Sequence, residues 1–244
     1  NYVNEKDKAT SILTNTSEGI ERLSKIVPKI LKKSNISKKR TYFIKQKKIN
    51  YFNILSKLVR DNLFPARWGG GPPMKNLCAF AKERNIKVLL GGDGIDEYFC
   101  GYNSFYNSLN KNNKYGLHDI LLLNKKFGIK KEEAAKFYSK IIQSKKKIHK
   151  KIKFIKDKNE RKIITNCFLD TEFFLQGCTL PHSDEYSMYE SVEMRNPYLD
   201  LDLVEFCLNL HGKFKISAKS KYKNKFLVRK LAIKKYGKFI DKEK

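Results

Sequence analysis

Residues 86–97 read IKVLLGGDGIDE and carry the clearest signal of the fold class. The first five residues of this stretch form a short apolar and β-branched run, which predicts a buried strand over 86–90. The glycines that follow predict a turn, and the acids after them are typical of the first turn of a helix that starts near Ile95. Residues 74–84 predict a helix before the strand, with Asn85 as its C-cap. This order of elements indicates an α/β fold with a parallel sheet.

The rest of the chain is predicted to be mostly helical. Apolar residues recur near the helical period over 5–33 and again over 51–60, whereas the basic stretch 34–50 predicts a loop. The stretch 64–73 ends in GGGPP and predicts a shaped loop. We therefore expect one domain, with an α/β part over 1–103 that merges into a mainly helical part over 104–244.

The charge balance of the chain is strongly basic, with a formal net charge of +27. Such a charge could bind nucleic acid, but the aromatic residues do not interleave with the basic runs as an RNA-binding platform requires. Lys, Asn and Ile are abundant together, as an AT-rich coding sequence would give. We favour a solvated basic surface that attracts ATP and pyrophosphate, and keep a polyanion site as the alternative.

Cysteine usage and hydropathy limit the class of protein further. The five cysteines are odd in number and show no CxxC spacing, which argues against a disulfide framework and against a zinc site. No apolar run approaches the roughly 20 residues of a membrane helix. Reduced thiols without a membrane segment predict a cytoplasmic protein.

The glycine turn predicts chemistry of its own. Glycines after a strand let backbone N–H groups approach a phosphate, yet Asp93, Asp96 and Glu97 would repel one. The conflict disappears if Mg²⁺ lies between the carboxylates and the phosphate oxygens. The alternative is an acidic helix start in which Gly94 merely supplies a positive φ. The turn matches neither the Walker A pattern nor the Rossmann fingerprint.

Five blocks of sequence, in order, point to one family. Residues 91–102 resemble S-G-[DE]-G-x-D-E-x-F-x-G-Y, with Gly91 in place of Ser and Cys100, interpreted as a packing residue, in place of Gly. The other blocks are DEYSM (184–188), SVEMRNPYLD (191–200), LVEF (203–206) and KFLVR (225–229). Together they resemble the ATP-dependent synthetase domain of the asparagine synthetase family.

The resemblance implies a fold, a reaction and site residues. The fold would be the adenine nucleotide alpha-hydrolase-like (PP-loop) type. ATP and Mg²⁺ would adenylate the side-chain carboxylate of aspartate, and ammonia would then form the amide. By resemblance, Asp96 is the Mg²⁺ and pyrophosphate carboxylate, and Asp93 faces the adenylate and ammonia. The residues expected to bind the cofactor are Gly91, Gly92, Gly94, Glu97, Lys225 and Arg229.

Several residues of these blocks also have purely structural interpretations. Glu193 and Arg195 are interpreted as a buried ion pair, and Asp200 as the cap of the following helix. Lys225 and Arg229 lie one helical turn apart, and two possibilities stay open: they face the phosphates, or they belong to the general basic surface.

Two hallmarks of the family do not occur in these 244 residues: the nucleotide loop S-G-G-x-D-S and the later loop R-x-K-x-G-F. We expect a domain that is incomplete at both ends and inactive alone, supplied with ammonia by a glutaminase domain outside this chain; a homodimer is left open. One alternative is an amidotransferase acting on another carboxylate, such as a surface sugar or natural product, because Glu185 replaces an Arg. Another is a noncatalytic nucleotide- or nucleic-acid-binding remnant.

Overall fold

The computed structural model describes residues 11–15, 17–35, 41–45, 51–62, 71–102, 131–217 and 224–238. These fall into two compact units. The first unit takes the described residues up to Leu90, together with Pro181–Arg195 and those from Leu231 onward. The second unit takes Gly91–Leu180 and Asn196–Lys230. The predicted loop at 64–70 and the predicted helical stretch 104–130 lie outside the described residues, and the division at residue 103 stays a prediction.

The first unit contains helices and two pairs of parallel strands. Its elements are β1 (Ser11–Asn15), α1 (Ser17–Lys33), β2 (Thr41–Lys45), α2 (Tyr51–Asn62), α3 (Gly71–Lys82), β3 (Val88–Leu90) and β4 (Glu193–Arg195). Strand β1 pairs in parallel with β2, and β3 pairs in parallel with β4. The predicted parallel pairing and α/β class are therefore confirmed at this level, whereas the PP-loop type stays a prediction.

Two predictions of secondary structure in this unit are wrong. Residues 11–15 form a strand although they were predicted as helix, because Ile12 and Leu13 also fit a helical period. Residues 41–45 form a strand inside a predicted loop. The run TYFIK in β2 is β-branched and aromatic, which favours a strand, but the surrounding lysines and polar residues hid this local signal.

The helix before β3 begins and ends where its backbone chemistry allows. It begins at Gly71, three residues earlier than predicted, because Pro72 and Pro73 lie in the first turn, where no N–H donor is required. At its other end Asn85 adopts a left-handed φ of 57°, and Ile86 N–H donates to the carbonyl of Ala81 at 3.0 Å. The predicted C-cap is confirmed, and it turns the chain into β3.

The strand pair β3–β4 is covered on one face. Leu89 packs with the buried residues Cys78, Ala81 and Val192. On the other face Leu90 is 74 % exposed, so the prediction of a buried strand is wrong. Glu193 and Arg195 form an ion pair at 2.7 Å, but it is exposed, since residues two apart on a strand share the open face.

The second unit is helical in its described part. Its elements are α4 (Ile95–Tyr98), α5 (Lys131–Lys151), α6 (Lys158–Leu169), a π-helix (Asp170–Thr179), a 3₁₀ turn (Pro197–Leu199), α8 (Leu201–Asn209) and a second 3₁₀ turn (Gly212–Phe214). Two further helices have residues in both units: α7 (Leu180–Tyr189) and α9 (Phe226–Tyr236). The part of the prediction that falls on these described residues, a mainly helical C-terminal half, is confirmed.

The short helix α4 is held by its apolar residues. Tyr98 and Phe99 are buried in a cluster with Leu175 and Cys207. Apolar side chains of α8 and of the start of α9 pack against the same cluster, among them Leu203, Val204, Leu227 and Val228. One turn of helix is not stable alone, so this burial is what fixes α4 in place. Among the described residues, no helix is long and apolar enough to span a membrane.

Asp200, the residue before α8, allows a direct test of how that helix begins. Its carboxylate accepts a hydrogen bond from Leu203 N–H at 3.1 Å, as the sequence predicted. We expect Asp200→Ala to lower the free energy of unfolding by about 1 kcal/mol, because a backbone donor loses its acceptor. Asp200→Asn retains a capping oxygen and should stay within about 0.5 kcal/mol of the unsubstituted protein in urea titrations. Equal losses in both variants would contradict the capping role.

Candidate active site

The turn that carries the predicted acids needs glycine at one position. Gly94 has a φ of 100°, and a Cβ there would lie 2.9 Å from the Tyr98 ring and 3.1 Å from Leu199. Asp93 N–H donates to the side-chain oxygen of Asn196 at 3.3 Å, which fixes the turn from its other side. Gly94 thus has the positive φ that the alternative interpretation gave it, whereas its contact with a nucleotide stays a prediction; the turn leads directly into α4.

Asp96 and Lys225 meet in this turn. The Lys225 ammonium lies 2.6 Å from Asp96 Oδ1, and the two side chains are 25 % and 33 % exposed, respectively. Both were predicted from the sequence as site residues, each from a different block of the family pattern. Lys225 thus lies beside the carboxylate that the resemblance assigns to the metal, and its contact with phosphates stays a prediction.

The segment before α9 holds the far end of the same turn. Lys225 N–H donates to the carbonyl of Phe99 at 3.0 Å, and the Asn224 amide donates to the carbonyl of Gly101 at 2.6 Å. Arg229 in turn donates from Nε and Nη2 to the backbone and side-chain oxygens of Asn224 at 3.0 and 3.1 Å. Arg229, predicted to bind the cofactor, therefore contributes at least these two bonds to positioning Asn224.

Glu97 faces the interior rather than the loop surface. It is 1 % exposed, and its Oε1 accepts a hydrogen bond from the Tyr102 hydroxyl at 2.6 Å. Burial raises the pKa of Glu97, with the Tyr102 hydrogen bond opposing the shift. Its location argues against the predicted direct contact with a nucleotide and gives it a role in anchoring α4.

Asp170, at the start of the π-helix, is a second buried carboxyl in this region. It is 4 % exposed, and burial, with the nearby Cys167 and Glu97 groups, raises its pKa to about 8. Asp170 and Glu97 are thus both buried, and the charge of Glu97 contributes to the raised pKa of Asp170. Asp96, in contrast, stays accessible.

The glycines of the turn and Asp93 differ in their exposure to solvent. Gly92 is exposed with open space around its Cα, and Gly91 is half-buried. At Gly101 a Cβ would overlap the Asp96 carboxylate, so glycine there keeps Asp96 and Lys225 together. Asp93 is half-buried and lies three residues from Asp96. The groups of the turn that are at least partly accessible are therefore its backbone, the carboxylates of Asp93 and Asp96, and the Lys225 ammonium.

The comparison with protein families identifies the chain's relatives. The family model described as asparagine synthase matches residues 44–236. This chain belongs to the asparagine synthase family. No curated protein and no solved structure gives a significant match to it. Membership of the asparagine synthase family implies an ATP-dependent ligase that uses a carboxylate substrate.

A magnesium ion fits this asparagine synthase turn only together with its nucleotide. Within the described ranges, no group of three or more His, Cys, Asp or Glu side chains could hold a metal ion. Mg²⁺ on a nucleotide, however, needs only one or two protein carboxylates, since phosphates and waters supply the other oxygens. Asp96 is accessible enough for that role and Glu97 is not.

Sequence reasoning missed Asn224 and Asp170. Asn224 precedes the KFLVR block and belongs to no pattern, and its value arises from a carbonyl that lies 123 residues away in the chain. Asp170 stands in an ordinary polar-apolar stretch, and only the fold buries it. Neither residue carries a local signal in the sequence.

The Asn224 contacts predict a loss of stability on truncation. We expect Asn224→Ala to lower the free energy of unfolding by about 1–3 kcal/mol, because Gly101 O and the Arg229 guanidinium both lose a partner. Asn159→Ala, at an exposed position, is the matched control and should change stability by less than about 0.5 kcal/mol. Urea unfolding measures both, and equal effects would remove Asn224 from the positioning role.

The buried Asp170 predicts a pH dependence. Its folded pKa is raised, so below about pH 4 both states are protonated, and as pH rises toward about 8 only the unfolded state gains the favourable charge. Stability from this group is therefore lost between those values. Asp170→Asn should flatten the decline in urea unfolding measured from pH 5 to pH 8, whereas Asp157→Asn, at an exposed cap, should not. An unchanged slope in Asp170→Asn would contradict the raised pKa.

Proposed function

We propose that this chain carries part of the active site of an ATP- and Mg²⁺-dependent amide synthetase that adenylates the side-chain carboxylate of aspartate. The observation that supports it most is the 2.6 Å contact between Asp96 and Lys225 at the exposed glycine turn. Two blocks of the family signature converge there, and each supplies one of the charges that a metal–nucleotide complex requires.

The electrostatics of the pair suit a pyrophosphate leaving group. If a nucleotide binds together with Mg²⁺, the cation can pair with the Asp96 carboxylate and a phosphate can pair with the Lys225 ammonium. Each side chain then replaces its present partner with another group of opposite charge. Lys225 can then neutralise negative charge that develops on the leaving pyrophosphate. When bound, Mg²⁺ polarises the phosphoryl oxygens and screens the charge between nucleotide and carboxylate.

The first chemical step makes a poor electrophile reactive. A carboxylate oxygen of the substrate attacks the α-phosphorus, the bond to pyrophosphate breaks, and an acyl-adenylate forms. The accessible backbone at Gly91 and Gly92 is suited to hold phosphate oxygens by N–H groups. Glu97, held by Tyr102 behind the turn, keeps α4 and hence Asp96 in position.

The second step makes the amide. Ammonia attacks the acyl carbon, AMP leaves with the electron pair of the cleaved C–O bond, and the attacking nitrogen releases one proton to give the amide. We assign Asp93 to the side of the turn that faces the adenylate and the incoming ammonia. The proposed ammonia source is glutamine hydrolysis by a glutaminase, with catalysis in the cytoplasm.

The proposal is tested by isotope exchange between pyrophosphate and ATP in the complete gene product, with aspartate and Mg²⁺ present. We expect Asp96→Asn and Lys225→Met each to lower the exchange rate by about 10²–10³-fold, since each removes charge stabilisation at the leaving group. Asp202→Asn, on exposed α8, is the control and should keep the full rate. Undiminished exchange in Asp96→Asn would contradict the assignment.

The same assay distinguishes the acceptor. Exchange that requires aspartate supports asparagine synthesis, whereas exchange that starts only with a sugar acid or another carboxylate supports the related amidotransferase. Glu185, where the family motif has Arg, is the sequence feature that favours testing other acids.

A further inference from the structure

Two cysteine sulfurs touch in the interior of the second unit. Cys100 Sγ and Cys167 Sγ lie 3.5 Å apart, and both residues are 0 % exposed. Ile163 and Ile216 complete the buried cluster around them. Cys100 lies two residues after the end of α4, and Cys167 lies on α6. The contact therefore joins two elements that are distant in the chain.

A buried lysine makes the two thiols unequal. The Lys215 ammonium is 3.7 Å from Cys167 Sγ, and Lys215 is itself 0 % exposed. The hydrogen bond with Cys100 lowers the pKa of Cys167, and Lys215 lowers it further against the opposing effect of burial. Burial and the bond to Cys167 raise the pKa of Cys100. Cys167 is therefore the sulfur that more readily becomes a thiolate.

The backbone at Cys100 is unusual for a cysteine. Its φ is 54°, in the left-handed region that favours glycine. The side chain on this backbone makes the buried contact with Cys167.

We propose that Cys100 and Cys167 are an oxidisable pair that forms an intramolecular disulfide on exposure to a hydroperoxide. The bond needs the two sulfurs to approach by about 1.5 Å in total, because a disulfide S–S bond is about 2.0 Å long. It would tie the end of the α4 turn covalently to α6. The proposal stands on the sulfur geometry and does not depend on the ligase function.

The chemistry balances with hydrogen peroxide as the oxidant. The Cys167 thiolate attacks one peroxide oxygen, the O–O bond breaks, and the released hydroxide takes a proton to become water. Cys100 then attacks the sulfenic sulfur, the S–O bond breaks, and a second water leaves with the proton of Cys100. Two thiols and one peroxide thus give one disulfide and two waters.

Two other cysteines serve as internal controls. Cys78 is equally buried, and burial raises the pKa of its thiol to about 11, so it should stay reduced. Cys178 is partly exposed and reports that the oxidant acted. Because the Cys100–Cys167 pair is buried, a small neutral peroxide should reach it through local opening, more slowly than it reaches Cys178.

The experiment treats the protein with hydrogen peroxide, blocks remaining thiols with N-ethylmaleimide under denaturing conditions, and maps peptides by mass spectrometry. We expect a Cys100–Cys167 linked peptide that dithiothreitol cleaves, with Cys78 recovered as the maleimide adduct. The proposal is overturned if both Cys100 and Cys167 are recovered as maleimide adducts in samples where Cys178 is oxidised.

Single variants test the assigned order of attack. In Cys100→Ser the sulfenic acid on Cys167 has no thiol to resolve it, so dimedone should label Cys167. In Cys167→Ser dimedone should not label Cys100. Labelling of Cys100 in the second variant, with none of Cys167 in the first, would contradict the proposal. The linked peptide from the unsubstituted protein remains decisive if either variant fails to fold.

Lys215 adds a kinetic test. Lys215→Met should slow disulfide formation by about tenfold for each unit by which the pKa of Cys167 rises. Lys213→Met, two residues away and exposed, is the matched control and should leave the rate unchanged. An unchanged rate in Lys215→Met would remove the ammonium from the activation of Cys167.

Discussion

The candidate site depends on the hydrogen bonds by which the segment before α9 holds the end of the α4 turn. Lys225 N–H donates to Phe99 O, and the Asn224 amide donates to Gly101 O. These two contacts place the Lys225 side chain against Asp96. They add to the burial of Tyr98 and Phe99, which fixes α4 because a single helical turn is not stable alone.

A consequence of this arrangement is a separation of acids by environment. Asp96 is accessible and paired with an ammonium, whereas Glu97, the next residue, is buried and bonded to a phenol. Adjacent helix residues point to different sides, so one turn of helix can present one carboxylate and anchor itself with another. In a chain of net charge +27, an accessible carboxylate beside a lysine also limits repulsion of a metal ion while the wider field favours a nucleotide.

Local patterns predicted the local features well. The strand before the glycine turn, the helix start at Ile95, the cap at Asp200 and the left-handed Asn85 all follow from signals within a few residues. Strand β1 was missed because its apolar residues also fit a helical period. Strand β2 was missed because lysines and other polar residues surround it. The roles of Glu97, Arg229 and Asn224 could not be read from the sequence. Burial determines the role of Glu97, and Asn224, which accepts from Arg229, contacts Gly101 across 123 residues of chain.

The central claim, that the turn over 91–101 is where the nucleotide's phosphates bind, has a direct test in hydrogen exchange. The complete gene product would be measured with and without ATP and Mg²⁺, and exchange of individual amides compared. We predict slowed exchange of the amides over 91–101 and at Lys225, since phosphate oxygens would accept hydrogen bonds from the N–H groups of the turn and stabilise the segment that holds it. Slowed exchange elsewhere, with the turn unchanged, would contradict it.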